Sequence, residues 1–402
     1  MHRPKEIVPP ARAPDRAWSR LAVERGAMRI AQVSPLFESV PPRLYGGTER
    51  IVSYLTEELV WQGHDVTLFA SGDSESSARL VAGCPEALRL GTRPGADGLA
   101  HHVRLVELVF RELHAFDVIH FHIDCVHFPL LQRVRAPAVT TLHGRLDLDE
   151  ISACFWEYRS LPFASISESQ RAPMPWLNWS GTVHHGLPPD LYRPSLNTDG
   201  YLAFVGRVSP EKRVDRAIEI ATRAGMPLRI AAKVDPGDRD YFEACIRPLL
   251  SLPGIEFVGE IGERDKAAFF GRAAALLFPI DWPEPFGLVM IEAMACGTPV
   301  IAFPHGSVPE VIEDGVTGFL VGSVDEAVRA VSRLPELSRE RCRREFERRF
   351  TARRMAQDYL AIYRELVEAG DVHDGKQWAA GGSAAGGSAA GDSRAAVGPS
   401  GL

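Results

Sequence analysis

Short apolar runs alternate along the chain with longer segments of helical periodicity, a pattern typical of parallel α/β sheets. The first half predicts strands at 28–33, 66–70, 118–121, 139–142 and 163–166, with a helix at 48–61. A second series predicts strands at 201–208, 228–234, 255–260, 275–279 and 300–303, with helices at 214–224, 264–273 and 287–295. We therefore predict two doubly wound domains that face a cleft. Ligands of such folds collect at the carboxyl ends of the strands.

The two ends of the chain differ from this pattern. Residues 1–27 mix Pro, Arg and Ala without periodicity, and the tail contains the run GGSAAGGSAAGDS, which cannot bury a core. We expect a disordered extension at 1–27 and a disordered tail at 371–402. Between them we predict an N-terminal domain at 28–195, a C-terminal domain at 196–350, and a helix at 351–370 that could pack back on the N-terminal domain.

The composition and net charge of the chain exclude several classes of function. Of 402 residues, 45% are hydrophobic and 24% are charged, with a formal net charge of -7, so the chain is globular and nucleic acid is not expected as a principal partner. It has no apolar run long enough to span a bilayer and no secretory signal pattern, and we expect a cytoplasmic protein. The helix after Gly47 is too acidic to support contact with an anionic membrane surface.

Two glycines, Gly46 and Gly47, precede the first predicted helix. Paired glycines at a helix N-terminus let backbone N–H groups approach an anion, which the helix dipole also favours. The spacing is not GxGxxG, so the fingerprint of a dinucleotide site is absent. A simple turn before a helix remains the alternative interpretation.

The segment GRVSPEKR places Arg207 and Lys212 across a turn between a strand and a helix. Both cations could converge on one phosphate group, where arginine supplies paired donors and lysine a compact charge. The chain has only five lysines, so one in this position is noticeable. The alternative is a solvated charge cluster in which Glu211 pairs with Lys212.

The segment WPEPFGLVMIEAMACGTPVIAF is the most informative part of the chain. Glu284 stands just before a helix that Gly287 opens, and Glu292 lies eight positions further on, which is roughly 12 Å along a helix. The helix N-terminus between them could seat a diphosphate on the amides of 286–288, with hydroxyls held at both ends. A capping carboxylate plus a helix-face glutamate is the alternative.

Several histidines lie on or just after two neighbouring predicted strands. His120 and His122 alternate on one predicted strand near Asp124 and His127, so they could ligate a metal, although supporting ligands are not evident. A structural or substrate-facing pair fits better, and we expect no metal. His143 ends the next predicted strand, where its side chain reaches the cleft.

Taken together, residues 28–368 resemble the retaining glycosyltransferases of family 4, which adopt the GT-B fold of two Rossmann-like domains. The segment from Glu284 to Glu292 fits the family's E-x7-E motif and is the most specific part of the match. The segment GRVSPEK is the next most specific part. Family patterns also match Gly46-Gly47, His143 in LHG, Ser167 in SISESQR, and Val308-Pro309-Glu310, whereas VHHG at 183–186 and Ser307 depart from the common residues. The opening SPLFESVPPRLYGGTER is similar to a bacterial branch that includes an avilamycin-pathway glycosyltransferase.

The resemblance implies a role for each motif residue. Arg207 and Lys212 would bind the donor diphosphate and offset the charge of the leaving group. Glu292 would hold the ribose hydroxyls, while Glu284 and His143 would lie by the transferred sugar. The loop Gly46-Gly47 would serve phosphate or acceptor, and the remaining donor contacts would come from the backbone of Phe286, Gly287 and Leu288.

The expected reaction is transfer of a hexosyl group from a nucleoside-diphosphate sugar to an acceptor hydroxyl, with retention and without a cofactor. Two other functions remain open. One is a nucleotide-sugar epimerase or hydrolase on the same fold, and the other is a noncatalytic protein that binds sugar nucleotides.

Overall fold

A computed structural model describes residues 26–43, 46–89 and 98–381, with side chains described as far as residue 370. The predicted disorder at 1–27 falls almost wholly outside these residues, as does the tail from 382 onward. Within the described residues, two parallel sheets follow one another along the chain. No helix in these ranges is both long and apolar enough to cross a bilayer.

The N-terminal sheet of the described chain has seven strands in the order β3-β2-β1-β4-β5-β6-β7, and every neighbouring pair is parallel. The strands are Arg29–Val33 (β1), Asp65–Ser71 (β2), Arg79–Cys84 (β3), Val118–Phe121 (β4), Ala138–Thr141 (β5), Phe163–Ser165 (β6) and Trp179–Thr182 (β7). The helices are Gly47–Trp61 (α1), Gly98–Arg111 (α2), Phe128–Leu131 (α3), Asp149–Glu157 (α4) and Glu168–Arg171 (α5).

The C-terminal sheet has six parallel strands in the described residues, in the order β10-β9-β8-β11-β12-β13. The strands are Tyr201–Arg207 (β8), Leu228–Lys233 (β9), Ile255–Gly259 (β10), Ala273–Phe278 (β11), Val300–Ala302 (β12) and Gly318–Leu320 (β13). The helices are Val214–Ala224 (α6), Arg239–Tyr241 (α7), Glu263–Arg272 (α8), Leu288–Ala295 (α9), Val308–Val311 (α10), Val324–Ser332 (α11), Arg339–Arg349 (α12) and Ala352–Gly381 (α13).

Both sheets reverse their strand order near the middle, between β1 and β4 and between β8 and β11. Such switch points open a crevice at the carboxyl ends of the strands, where ligands of doubly wound folds bind. The strands there are continuously buried: all four residues of β4 are buried, as are five of the six in β11. The fold is therefore the predicted α/β architecture of two Rossmann-like domains.

The last helix, α13, returns from the C-terminal domain to the N-terminal domain. The backbone of Leu187 hydrogen bonds to Phe350 and Ala352 where the chain crosses, and α13 then packs on α1. This helix continues to Gly381, past the expected start of the disordered tail at 371. Side chains beyond residue 370 lie outside the described ones, so the boundary at 371 stays a prediction.

The strands predicted from apolar runs are confirmed to within two residues at each end. The sequence missed β3, β7 and β13, which are all edge strands. An edge strand has a neighbour on one side only, and β3 is only partly buried, so its apolar pattern is weaker.

Candidate active site

A cavity of about 840 Å³ lies between the carboxyl edges of the two sheets. The residues for which the family resemblance implies a role all line it, from both domains. These residues are Gly46, Gly47, His143, Arg207, Lys212, Glu284, Phe286, Gly287, Leu288 and Glu292. Residues more than 200 positions apart in the sequence therefore share one pocket, as the predicted pair of doubly wound domains requires.

The N-termini of α1 and α9, one from each domain, both line this cavity. A side chain added at Gly47, the first residue of α1, would come within 3.7 Å of Leu288 Cδ1, at the start of α9. Two helix N-termini of opposite domains thus direct unpaired N–H groups and partial positive charge toward the same space. This arrangement suits an anion better than one terminus alone would.

Lys212 and Glu284 form an ion pair at the cavity wall. The Lys212 ammonium also lies 4.6 Å from the centre of the Trp282 ring, and Glu284 is only 8% exposed. Glu211 instead pairs with Arg207, over 3.2 Å. The surface pairing of Glu211 with Lys212 is therefore wrong, because Lys212, at the end of the turn Pro210–Lys212, pairs with Glu284 instead.

Glu292 lies deeper, on α9, and is 2% exposed. Its Oε1 accepts a hydrogen bond from Lys266 Nζ over 2.7 Å. Its Oε2 is buried and has no hydrogen-bond partner among the described residues. Because a buried carboxylate oxygen without a partner is costly, this atom is suited to accept hydrogen bonds from a ligand hydroxyl.

The turn at 305–307 holds the loop that carries Glu284. Ser307 N–H donates to the Glu284 carbonyl over 2.9 Å, and Ser307 Oγ donates to the Phe286 carbonyl over 2.9 Å. Gly306 has a φ of 62°, and a Cβ there would lie 2.3 Å from the backbone N and O of Glu284. Ser307, which departs from the family pattern, therefore supports the predicted site.

We expect Gly306→Ala to lower turnover, because its Cβ must displace the backbone of Glu284. The strain of the left-handed conformation alone costs roughly 1–2 kcal/mol. Gly315→Ala is the matched control, since Gly315 has a φ of 72° with open space around its Cβ position. Melting temperatures and turnover should separate the two variants: both lose stability, and only Gly306→Ala loses much more activity than stability explains. Equal kinetics would contradict this.

His143 lies at the cavity wall two residues after the end of β5. Its ring stacks on that of His185, with centroids 5.3 Å apart, and burial lowers the pKa of His143 to about 3. All ring nitrogens of His120 and His122 lie within hydrogen-bond distance of other side chains. No cluster of three or more His, Cys, Asp or Glu side chains in the described ranges is arranged to hold a metal ion.

Glu49, in the first turn of α1, is a cavity residue that the sequence reasoning did not select. It is 6% exposed, and burial raises its pKa to about 7. The native state therefore holds the proton of Glu49 at pH values where the unfolded chain, with its ordinary glutamate pKa, has released it. This one group makes the folded protein less stable as pH rises from about 4.5 to 7.

Glu49→Gln should remove that dependence. At pH 8 we expect the variant to gain up to about 3 kcal/mol of unfolding free energy over the parent protein, from a shift of more than two pKa units. Near pH 4.5 the gain should shrink to about 0.4 kcal/mol, because the folded state then holds the proton and the unfolded state holds it in about half of the molecules. Urea denaturation at the two pH values measures the difference, and an equal effect at both would contradict the origin in burial.

The scarcity of lysine pointed to Lys212 in the sequence, but the same signal was not applied to the other lysines. Lys212, Lys233 and Lys266, three of the five lysines of the chain, line this one cavity. Lys233 ends β9 and Lys266 lies on α8, so neither belongs to a recognisable motif. Arg50 of α1, which pairs with Glu263 of the opposite domain, was missed for the same reason.

Two family models match the two domains. The model described as Glycosyltransferase Family 4 matches residues 45–184, and the model described as Glycosyl transferases group 1 matches residues 193–350. The chain belongs to glycosyltransferase family 4. It is thus an enzyme that transfers sugars, and its architecture is the GT-B fold.

Similar proteins include other glycosyltransferases. A glycogen synthase of Mycobacterium tuberculosis is 26% identical over 84% of this chain and 95% of its own length. A D-inositol 3-phosphate glycosyltransferase of Saccharomonospora viridis is 35% identical, over 42% of this chain and 43% of its own.

Solved structures share the fold. AviGT4, a glycosyltransferase involved in avilamycin A biosynthesis, aligns with a TM-score of 0.64 and 23% identity over 85% of this chain and 98% of its own. Sucrose-phosphate synthase of Thermosynechococcus elongatus aligns with a TM-score of 0.70 and 20% identity over 85% and 99%. Anabaena HepE in complex with UDP-glucose aligns with a TM-score of 0.62 and 19% identity over 85% and 100%.

Proposed function

We propose that this family 4 glycosyltransferase moves a hexosyl group from a nucleoside-diphosphate sugar to an acceptor hydroxyl, with retention of the anomeric configuration. The observation that carries the proposal is the convergence in one cavity of the Arg207 and Lys212 cations with two helix N-termini, between the carboxylates of Glu284 and Glu292. That arrangement suits a diphosphate flanked by two hydroxyl-rich groups.

Each group has a role in the proposed reaction. The diphosphate lies at the start of α9, where backbone N–H groups and the two cations oppose its charge. The free Oε2 of Glu292 accepts from ribose hydroxyls, and Glu284 faces the hexose. UDP-glucose bound to HepE, a protein of the same fold, supports a nucleotide sugar as donor but does not identify the nucleobase here.

In the proposed step, the bond between the anomeric carbon and the phosphate oxygen breaks while the acceptor oxygen bonds to the same face of that carbon. The acceptor proton passes to an oxygen of the departing diphosphate, so no protein nucleophile is required. Preorganised cations and helix amides stabilise the charge that develops on the leaving group. Because Arg207 and Lys212 supply this stabilisation, we propose that no metal is needed.

The experiment begins with a thermal-shift screen of nucleoside diphosphates and their sugars, since a ligand that binds the folded state raises the melting temperature. The donor identified in this way is then incubated with and without a panel of sugar and polyol acceptors, and nucleotide release is measured. We expect acceptor-dependent release and a product whose anomeric configuration, read by proton NMR, equals that of the donor. Chelator should leave the rate unchanged.

Other outcomes separate the alternatives. Release that is equally fast without acceptor would indicate a hydrolase, and a changed sugar still attached to nucleotide would indicate an epimerase. Donor binding without any turnover would indicate a noncatalytic binding protein. An inverted product would contradict retention while leaving the donor site intact.

A further inference from the structure

A chain of buried side chains connects the last helix to the cavity. Tyr363 lies on α13 and Gln32 on β1, whereas His122 directly follows β4 and His143 lies two residues after β5. Gln32 Nε2 donates to Tyr363 Oη over 3.0 Å, and Gln32 Oε1 lies 2.9 Å from His122 Nε2. His122 Nδ1 lies 2.9 Å from His143 Nε2. Gln32 and Tyr363 are fully buried and His122 is 2% exposed.

The Gln32 amide determines where the imidazole protons lie. Its oxygen can only accept, so His122 Nε2 must carry a proton and donate it. A neutral imidazole has one N–H, so His122 Nδ1 accepts and His143 Nε2 donates to it. The remaining nitrogen, His143 Nδ1, then has only a lone pair. This agrees with its environment, because that atom is buried and has no hydrogen-bond partner in the described part of the chain.

The buried surroundings of His122 and His143 favour neutral imidazole rings. Burial lowers the pKa of His122 well below its usual value, and it lowers that of His143 to about 3. A neutral His143 does not compete with Lys212 for the negative charge of a bound diphosphate. Its only N–H is already given to His122, so the ring is held in one orientation against His185.

We propose that Gln32 and Tyr363 are positioning residues which, through His122, hold His143 as its neutral Nε2–H tautomer at the cavity wall. The inference rests on the proposed function, which places His143 beside the transferred sugar. It also gives the returning helix a part in the site, since α13 follows the C-terminal domain in the sequence but orients a residue of the N-terminal one.

The same helix supplies a matched control. Tyr363 Oη also lies 2.6 Å from His120 Nδ1, His120 Nε2 lies 2.7 Å from Thr141 Oγ1, and Thr141 Oγ1 lies 3.0 Å from Tyr359 Oη. Tyr359 thus ends a side branch of this hydrogen-bond network and has no hydrogen bond to Gln32. Both tyrosines are fully buried, so changing either to phenylalanine removes one buried hydroxyl and keeps the ring.

The experiment compares Tyr363→Phe with Tyr359→Phe in the full-length protein. Tyr363→Phe removes the partner of the Gln32 amide nitrogen, so the amide can turn over and the His143 tautomer becomes mixed. We expect its turnover to fall roughly fivefold, as for loss of one neutral hydrogen bond, while Tyr359→Phe stays near the parent rate. Nitrogen NMR of histidine-labelled protein without donor reports the tautomers, and the signal absent from His143→Asn assigns His143.

The expected spectrum has His143 protonated at Nε2 in the parent protein and in Tyr359→Phe, with altered His143 signals in Tyr363→Phe. A proton on Nδ1 in the parent, unchanged His143 signals in Tyr363→Phe, or equal losses of turnover in both variants would overturn the proposal. The spectra are recorded without donor. Failure of sugar transfer would therefore refute the proposed function, while the spectra would still decide whether His143 is the Nε2–H tautomer.

Discussion

Lys212→Ala should lower kcat/KM for the nucleotide-sugar donor by about 10- to 100-fold, the range expected for losing hydrogen bonds to a charged group. The structure adds a second reason. Lys212 is the ion-pair partner of Glu284, so its removal leaves an uncompensated carboxylate at the wall where we propose that the diphosphate binds. Arg207→Ala should have a smaller effect, because its side chain is about one-third exposed, at 32%, and therefore better solvated.

Two further variants make the Lys212 experiment decisive. Adding Glu284→Gln to Lys212→Ala should restore part of the donor affinity, since the uncompensated charge is gone. Arg223→Ala removes a positive charge from the same domain at an exposed site, where Arg223 pairs with Glu219 over 3.1 Å, and it should leave the kinetics unchanged. Unchanged donor kinetics in both Lys212→Ala and Arg207→Ala would remove the diphosphate from this turn.

The two motif glutamates should differ in which kinetic constant they control. Glu292 is expected to bind hydroxyls that do not react, so Glu292→Gln should raise the donor KM with a smaller effect on kcat. Glu284 lies at the entrance of α9, where the proposed function places the reacting carbon, and its contacts should tighten as the sugar distorts. Glu284→Gln should therefore chiefly lower kcat, by roughly 100-fold or more, while nucleoside diphosphate still binds.

A modified donor isolates the role of Glu292. With a 2′-deoxyribose donor, the difference in KM between the parent and Glu292→Gln should shrink, because a hydroxyl that Glu292 is proposed to bind is missing. If both glutamates were only capping or packing groups, both variants would lower the melting temperature alike, and the donor modification would make no difference. Full turnover by Glu284→Gln would contradict its catalytic role.

Much of this site could be predicted because its motifs are local in sequence. Glu284 and Glu292 lie on one loop and helix, and the strand-end position of His143 follows from a single apolar run. The other contacts depend on the tertiary fold. Lys266 is 26 positions before Glu292, and only the packing of α8 beside α9 brings its ammonium within 2.7 Å of the carboxylate.

The histidines illustrate the same limit. The HFH spacing of His120 and His122 indicated a pair on one strand but could not distinguish a metal site from a structural pair. Their partners Gln32 and Tyr363 are 331 positions apart in sequence and meet only because the last helix returns to the N-terminal sheet. No spacing rule within one segment identifies such a network.

Donor turnover by the parent protein and by the double variant Arg207→Ala/Lys212→Ala tests the account most directly. The donor is the nucleoside-diphosphate sugar that gives the largest thermal shift, and nucleotide release is followed with the acceptor panel present. We predict acceptor-dependent release by the parent, and at least a 100-fold lower rate in a double variant that keeps its melting temperature, as expected when both charge-assisted contacts are lost. Equal rates in the two proteins would contradict the assignment of this cavity as the site of sugar transfer.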